Sequence, residues 1–193
     1  MGLSNGVVSG LTSGNRRVQR AFVLASLLAS SVLLAGCVSE PETPAFYQSM
    51  ARVDASVDQA TAAQMISQYR VNNGLGAVVV DPALTAIARS QAKAMAAEGS
   101  VKASLGAAQQ LTTRMASIGE PNAHAVENVS GGYRTLAEAF SGWRESPKHN
   151  AVMLDSSATR MGLATAYSSQ AKHKVFWSLV MAGPKSQTVA AGN

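Results

Sequence analysis

The chain reads as an α+β domain in which helices cover a small antiparallel sheet. Three observations lead there. Apolar residues recur at helical spacing through the first two thirds of the sequence. Residues 161–167 and 174–182, rich in Val, Phe, Trp and Thr, form two strands joined by a polar loop at 168–172. Between them, helix and strand signals alternate once more, at residues 123–143. The 193 residues, 47% hydrophobic and 14% charged, suffice for one domain with a real core.

In order, Val57, Thr61, Met65, Ile66 and Tyr69 mark a first helix that stops at Asn72-Asn73-Gly74. A short apolar run at 77–80 precedes Asp81-Pro82. Asp81 suits an N-cap and Pro82 the first helical position, the strongest local signal in the chain. The helix that follows places Leu84, Ile87, Ala88, Gln91 and Met95 on one stripe, with Arg89 and Lys93 on its wetter side, and stops at Gly99. Residues 107–118 predict a third helix with Leu111, Met115 and Ile118 inward. A strand is expected at 123–129, then a Gly131-Gly132 turn. Leu136, Ala139, Phe140 and Trp143 stand at i, i+3, i+4 and i+7, a core-facing stripe.

The N-terminus reads as a targeting segment. Arg16, Arg17 and Arg20 precede an uncharged run at 21–34, 14 residues long and too short for a comfortable membrane span. It ends in Leu34-Ala35-Gly36-Cys37, small residues before the single cysteine, in the manner of a bacterial lipobox. The expected layout is a lipoprotein signal peptide at 1–36 and a Cys37-lipidated, Pro-containing tether at 37–55. The domain follows at 56–183, with a tail at 184–193. An uncleaved apolar anchor with an incidental Cys37 is the other reading. With its cysteine spent on lipid, the domain has no disulfide and must hold by packing. Loss of 1–36 removes three Arg, leaving 13 basic against 11 acidic residues, or +2. No basic patch remains, so nucleic acid is not an expected partner.

The site candidates sit between residues 126 and 153. Glu127 ends a short apolar segment, and His149 follows Ser146-Pro147 at the start of a turn of helix. A carboxylate and an imidazole at the two ends of a turn–helix unit can face one cleft if the helix folds back. There they would satisfy each other by a hydrogen bond, or serve as metal ligand, base or proton carrier. Against that stands a structural role for Glu127 in tying down the glycine turn, and a surface position for His149. Ser141 and Ser146 lack the context of a nucleophile. His124 would point to the face opposite Glu127 on a regular strand, and His173 lies at the mouth of the last hairpin.

Glu127-Asn128, Gly131-Gly132, Trp143 and Ser146-Pro147-x-His149 together resemble the markers of the CAP superfamily (cysteine-rich secretory proteins, antigen 5 and pathogenesis-related 1 proteins) in its bacterial form. Tyr69-Arg70-x-Asn72-x-Gly74, Asp81-Pro82-x-Leu84 and Thr159-Arg160-Met161-Gly162 extend the likeness over roughly residues 60–183. The resemblance implies an α–β–α sandwich with a cleft whose candidate binding residues here are Glu127, Asn128, His149 and Ser146. It also implies a two-His, two-Glu cleft, from which this sequence departs. Lys102-Ala103-Ser104-Leu105 stands where an upstream His falls, and Phe176-Trp177-Ser178-Leu179 where a late His falls. Ser146 takes the place of the second Glu. Catalytic zinc usually needs three protein ligands, and only Glu127 and His149 are on offer. The expectation is therefore a non-catalytic binding domain without a cofactor, held to the membrane by its lipid anchor in the bacterial envelope. It would take a lipid, a cell-wall fragment or a protein partner. A metal-assisted hydrolase using Glu127 and His149 is the alternative.

Overall fold

The computed structural model describes residues 42–185. The expected signal segment 1–36, Cys37, the start of the expected tether and residues 186–193 of the expected tail lie outside the described residues. Five α-helices and four strands are found within them. Helix α1 (Gln59–Asn72) starts where the Asp58 carboxylate accepts from the Thr61 N–H at 2.6 Å. Strand β1 (Val79–Val80) leads into α2 (Pro82–Glu98), and Asp81 caps that helix as its sequence demands. Asp81 Oδ1 accepts from the Ala83 and Leu84 N–H groups at 2.8 and 3.4 Å. Gly99, at φ 66°, ends α2 in the left-handed conformation that glycine adopts without steric cost. All five residues of the stripe read from the sequence are buried.

The third helix is shorter than expected. Residues Ala107–Gln109 make a 3-10 turn, Gln110 is extended at ψ 135°, and α3 covers only Leu111–Ser117. The break turns the Gln109 carbonyl outward to accept from Arg114 Nε at 3.0 Å. Strand β2 (Ala125–Gly131) begins two residues later than the sequence suggests. Helix α4 (Leu136–Glu145) is capped by Thr135 Oγ1, which accepts from the Glu138 N–H at 3.2 Å, while Glu138 reaches back to the Arg134 N–H. Helix α5 (Pro147–Met153) and strands β3 (Arg160–Tyr167) and β4 (Val175–Ala182) complete the order.

The sheet runs β1-β3-β4-β2. Strands β2 and β3 flank β4 antiparallel, as anticipated, but β1 pairs parallel to β3, so the sheet is mixed. The chain leaves β1 through helices and re-enters at the same end of the sheet, a crossover that gives parallel pairing. Every residue of β4 is buried, because helices cover both its faces. Val175, Trp177, Leu179 and Met181 meet α1, α4 and α5, while Phe176, Val180 and Ala182 meet the α2–α3 side. On the first face Trp143 stands edge-on to Trp177, centroids 6.1 Å apart. On the second, α2 lies so close to β3 that a Cβ on Gly162 would collide with the backbone of Leu84 and Thr85.

The packed chain begins upstream of residue 56. Met50 is 2% exposed and donates its N–H to the Arg134 carbonyl at 2.7 Å, and Phe46 packs beside it. Two apolar side chains within the expected tether thus belong to the packed domain over α4.

Two stability measurements test this packing. Asp81→Ala removes a cap worth about 1 kcal/mol. It also strips one hydrogen-bond partner from buried Arg160, which keeps Glu120, a further loss of about 1–3 kcal/mol. Its urea midpoint should therefore fall much further than that of Asp58→Ala, which removes a cap alone. Gly162→Ala should destabilise by about 3 kcal/mol or more by overpacking. Gly76→Ala, which meets open space, should be near neutral.

Candidate functional site

Alternation along β2 decides where the candidate residues point. Val126, Asn128 and Ser130 turn toward α1, α4 and α5, whereas Ala125, Glu127 and Val129 turn toward α2 and α3. Glu127 therefore lies under the second helical layer. Its Oε2 accepts from Arg114 Nη2 at 2.5 Å and its Oε1 from Ser178 Oγ at 2.6 Å. Arg114 spends its other donors on backbone: Nε on Gln109 and Nη1 on the Ile87 carbonyl at 3.3 Å. The two side chains are 5% and 11% exposed. Each is the other's counter-charge in a largely buried ion pair.

His149 sits on the other face. Asn128 Nδ2 donates to the His149 carbonyl at 2.9 Å and so ties α5 to β2. The His149 Nδ1 and Asn128 Oδ1 atoms are both buried without a protein partner. Burial alone pushes the His149 imidazole below its ordinary range and keeps it neutral. The Glu127–His149 hydrogen bond expected from the sequence is therefore not made, because the sheet lies between the two side chains. Ser146 is the N-cap of α5 but offers no side-chain cap bond; its carbonyl accepts from the Asn150 N–H at 2.8 Å. Tyr69, from the Tyr-Arg-x-Asn-x-Gly stretch, donates its hydroxyl to Asn150 Oδ1 at 2.8 Å.

The donor set does not fit a divalent metal. A guanidinium already stands against Glu127 where a cation would sit, and His149 is across the sheet. Among the described residues no group of three His, Cys, Asp or Glu could hold a metal ion. His124 pairs with Asp155 at 2.8 Å, away from Glu127. Exposed His173 lies over the Gly131-Gly132 turn, its Nδ1 3.0 Å from where a Cβ on Gly132 would stand. At φ 107° that position favours glycine on its own account. Glu145 is exposed at the end of α4.

Arg114 and Ser178 are the partners that sequence reasoning missed. A signal existed for Ser178, a single hydroxyl within the otherwise apolar run of β4. Buried on both faces, such a group must find a partner. Arg114, among the inward residues Leu111, Met115 and Ile118, carried a weaker one.

Lowering the pH tests the His149 environment. Its folded pKa lies below 6.5, the ordinary value that the unfolded chain keeps. Between the two values the unfolded state binds more protons, so stability falls as pH drops through that window. A His149→Gln variant should lose that part of the pH dependence in urea titrations between pH 7.5 and 5, a range chosen around the usual histidine value of about 6.5.

Residues 63–181 match the family model described as the cysteine-rich secretory protein family, CAP. Curated proteins give no match. Among solved structures, the chain is similar to an outer surface protein from Borrelia burgdorferi, with a TM-score of 0.57 at 14% identity. That likeness covers 68% of this chain and 98% of the other. A cysteine-rich secretory protein from Staphylococcus aureus aligns at TM-score 0.53 and 18% identity, over 69% of this chain. An extracellular SCP-domain protein from Bacillus anthracis aligns at 0.55 and 17%, over 65%. This chain spans 40% of the length of each of these two. The mixed sheet between two helical layers, the ordered markers from Glu127 to His149 and the family match over most of the domain agree, and the chain belongs to the CAP family of cysteine-rich secretory proteins.

Proposed function

We propose that this CAP domain is a non-catalytic binding module, anchored through a lipid on Cys37 to a bacterial membrane and facing the periplasm or the exterior. Its ligand would be a lipid, a cell-wall fragment or a protein partner. One observation carries the reading against the hydrolase. Both oxygens of Glu127, the carboxylate a hydrolytic centre would need, are held by Arg114 and Ser178. Each oxygen keeps a second lone pair, but the side chain is 11% exposed and faces a guanidinium, so a substrate proton or a metal ion would have to displace Arg114 to reach it. Glu127 is positioned for neither.

The anchor rests on the Leu34-Ala35-Gly36-Cys37 sequence, which lies outside the described residues. Among the described residues no helix is long and apolar enough to cross a membrane, so attachment of this domain by its own helices finds no support. The tether before Phe46 gives the domain a short polar spacer from the bilayer surface.

Two measurements test the reading. Zinc titration of the purified chain should show no stoichiometric site tighter than about 1 μM, or −8 kcal/mol. Glu127→Ala and His149→Ala should lower the denaturation midpoint while leaving metal content unchanged. A tight site that vanishes in either variant would revive the hydrolase. Mass spectrometry of the N-terminal peptide from membranes should find acyl chains on Cys37, and Cys37→Ser should release the protein.

A further inference from the structure

The outer edge of β3 is closed at one end and open at the other. Val79 and Asp81 donate their N–H groups to the Thr159 and Met161 carbonyls at 3.0 and 2.8 Å. Past β1, the Gln59 side chain takes over: its Nε2 donates to the Leu163 carbonyl at 2.8 Å, and its Oε1 accepts from the Leu163 N–H at 3.4 Å. Strand alternation turns the N–H and C=O groups of Thr165 and Tyr167 to this same edge. No hydrogen bond from the described residues takes them up there. Among the described residues the strand thus presents two successive sets of unpaired backbone groups, spaced as a neighbouring strand would need them.

Those groups floor a groove of about 500 Å³. Residues 52–57 form one wall and the outer face of α2 the other, while α2 comes closest to β3 farther back, at Gly162. The charged side chains at its rim are Arg52, Arg89 and Lys93 against Asp54, all exposed. Arg89 and Lys93 are four residues apart on α2 and share one face. The rim is therefore cationic although the mature chain is nearly balanced.

We propose that this groove takes an acidic peptide segment in extended conformation, added as a strand to the β3 edge with its carboxylates at Arg89 and Lys93. The assignment names a ligand class for the binding role above and rests on that reading. An acyl chain would bury the edge amides unpaired, which an extended backbone avoids. A second copy of this chain, paired edge to edge about a two-fold axis, would bring like charges together. An extended acidic peptide meets both demands: its backbone pairs with Thr165 and Tyr167, and every second side chain faces α2.

Fluorescence anisotropy with a labelled Val-Glu-Val-Glu-Val-Glu peptide tests this on the full chain purified from membranes in detergent. Saturable binding is expected, weakened at least about tenfold when Lys replaces Glu. N-methylation of alternate peptide nitrogens should weaken it by a similar factor. The exposed double variant Arg89→Glu, Lys93→Glu should reverse the preference toward the Lys peptide. Equal affinity for both peptides, or indifference to N-methylation, would overturn the assignment. So would binding of anionic vesicles that the double variant abolishes while no peptide binds. A chain that ignores every peptide yet retains a co-purifying lipid would overturn the groove assignment alone and leave the binding role standing. Cleavage of the peptide would overturn both.

Discussion

Arg160 is the side chain on which the rest of the structure leans. From the start of β3 it donates to Asp81 Oδ2 at 2.7 Å, to both Glu120 oxygens at 3.1 and 2.6 Å, and to the Gly183 carbonyl at 2.8 Å. One guanidinium thereby joins the cap of α2, the loop after α3, the first residue of β3 and the exit from β4. Burial opposes the charge on Asp81. The bonds from Arg160, from the Ala83 and Leu84 N–H groups and from Lys185 outweigh it, and its carboxyl stays below the usual carboxylate range. Asp81 divides its two oxygens, Oδ1 for the helix and Oδ2 for the sheet, so α2 cannot start anywhere else. That registration sets α2 against Gly162, and the same α2 goes on to supply the groove wall.

A second buried arginine does the same for the opposite layer. Arg70, 1% exposed at the end of α1, donates to the carbonyls of Gly76, Met153, Asp155 and Ala158 at 2.8–2.9 Å. It gathers the turn after α1 and the loop after α5 around a single planar fork of donors. Arg114 with Glu127 is the third such device. Without disulfides in the domain, these arginines close loops that packing alone would leave open. Arg70, Asp81 and Arg160 each tie separate segments together, and Glu127 is held by Arg114 in the same manner.

Much of the fold was legible because its signals are local. Asp81-Pro82, the stripes on α2 and α4, and the β-rich runs at residues 160–182 each depend on residues within a few positions of one another. The parallel pairing of β1 was not legible, since two residues of strand carry no period. The break at Gln110 was also hidden, because it is fixed by Arg114 reaching back to the Gln109 carbonyl. The candidate site was half legible. Glu127, Asn128, His149 and Ser146 stood out in the sequence as candidates for a cleft, but the partners that hold Glu127, Arg114 and Ser178, did not.

What the sequence by itself determined is the order of elements, their caps and stops, and the family to which the chain belongs. All of these are written in spacing and residue type. Only the tertiary structure decided what the polar residues do. Glu127 and Asn128 are neighbours in the chain, yet the strand's two-residue period sends them to opposite faces of the sheet. One meets a guanidinium from α3 and the other the backbone of α5. A one-dimensional spacing cannot reveal which helix will lie over which face, and it is that placement that sends Glu127 to Arg114 and Asn128 to the His149 carbonyl.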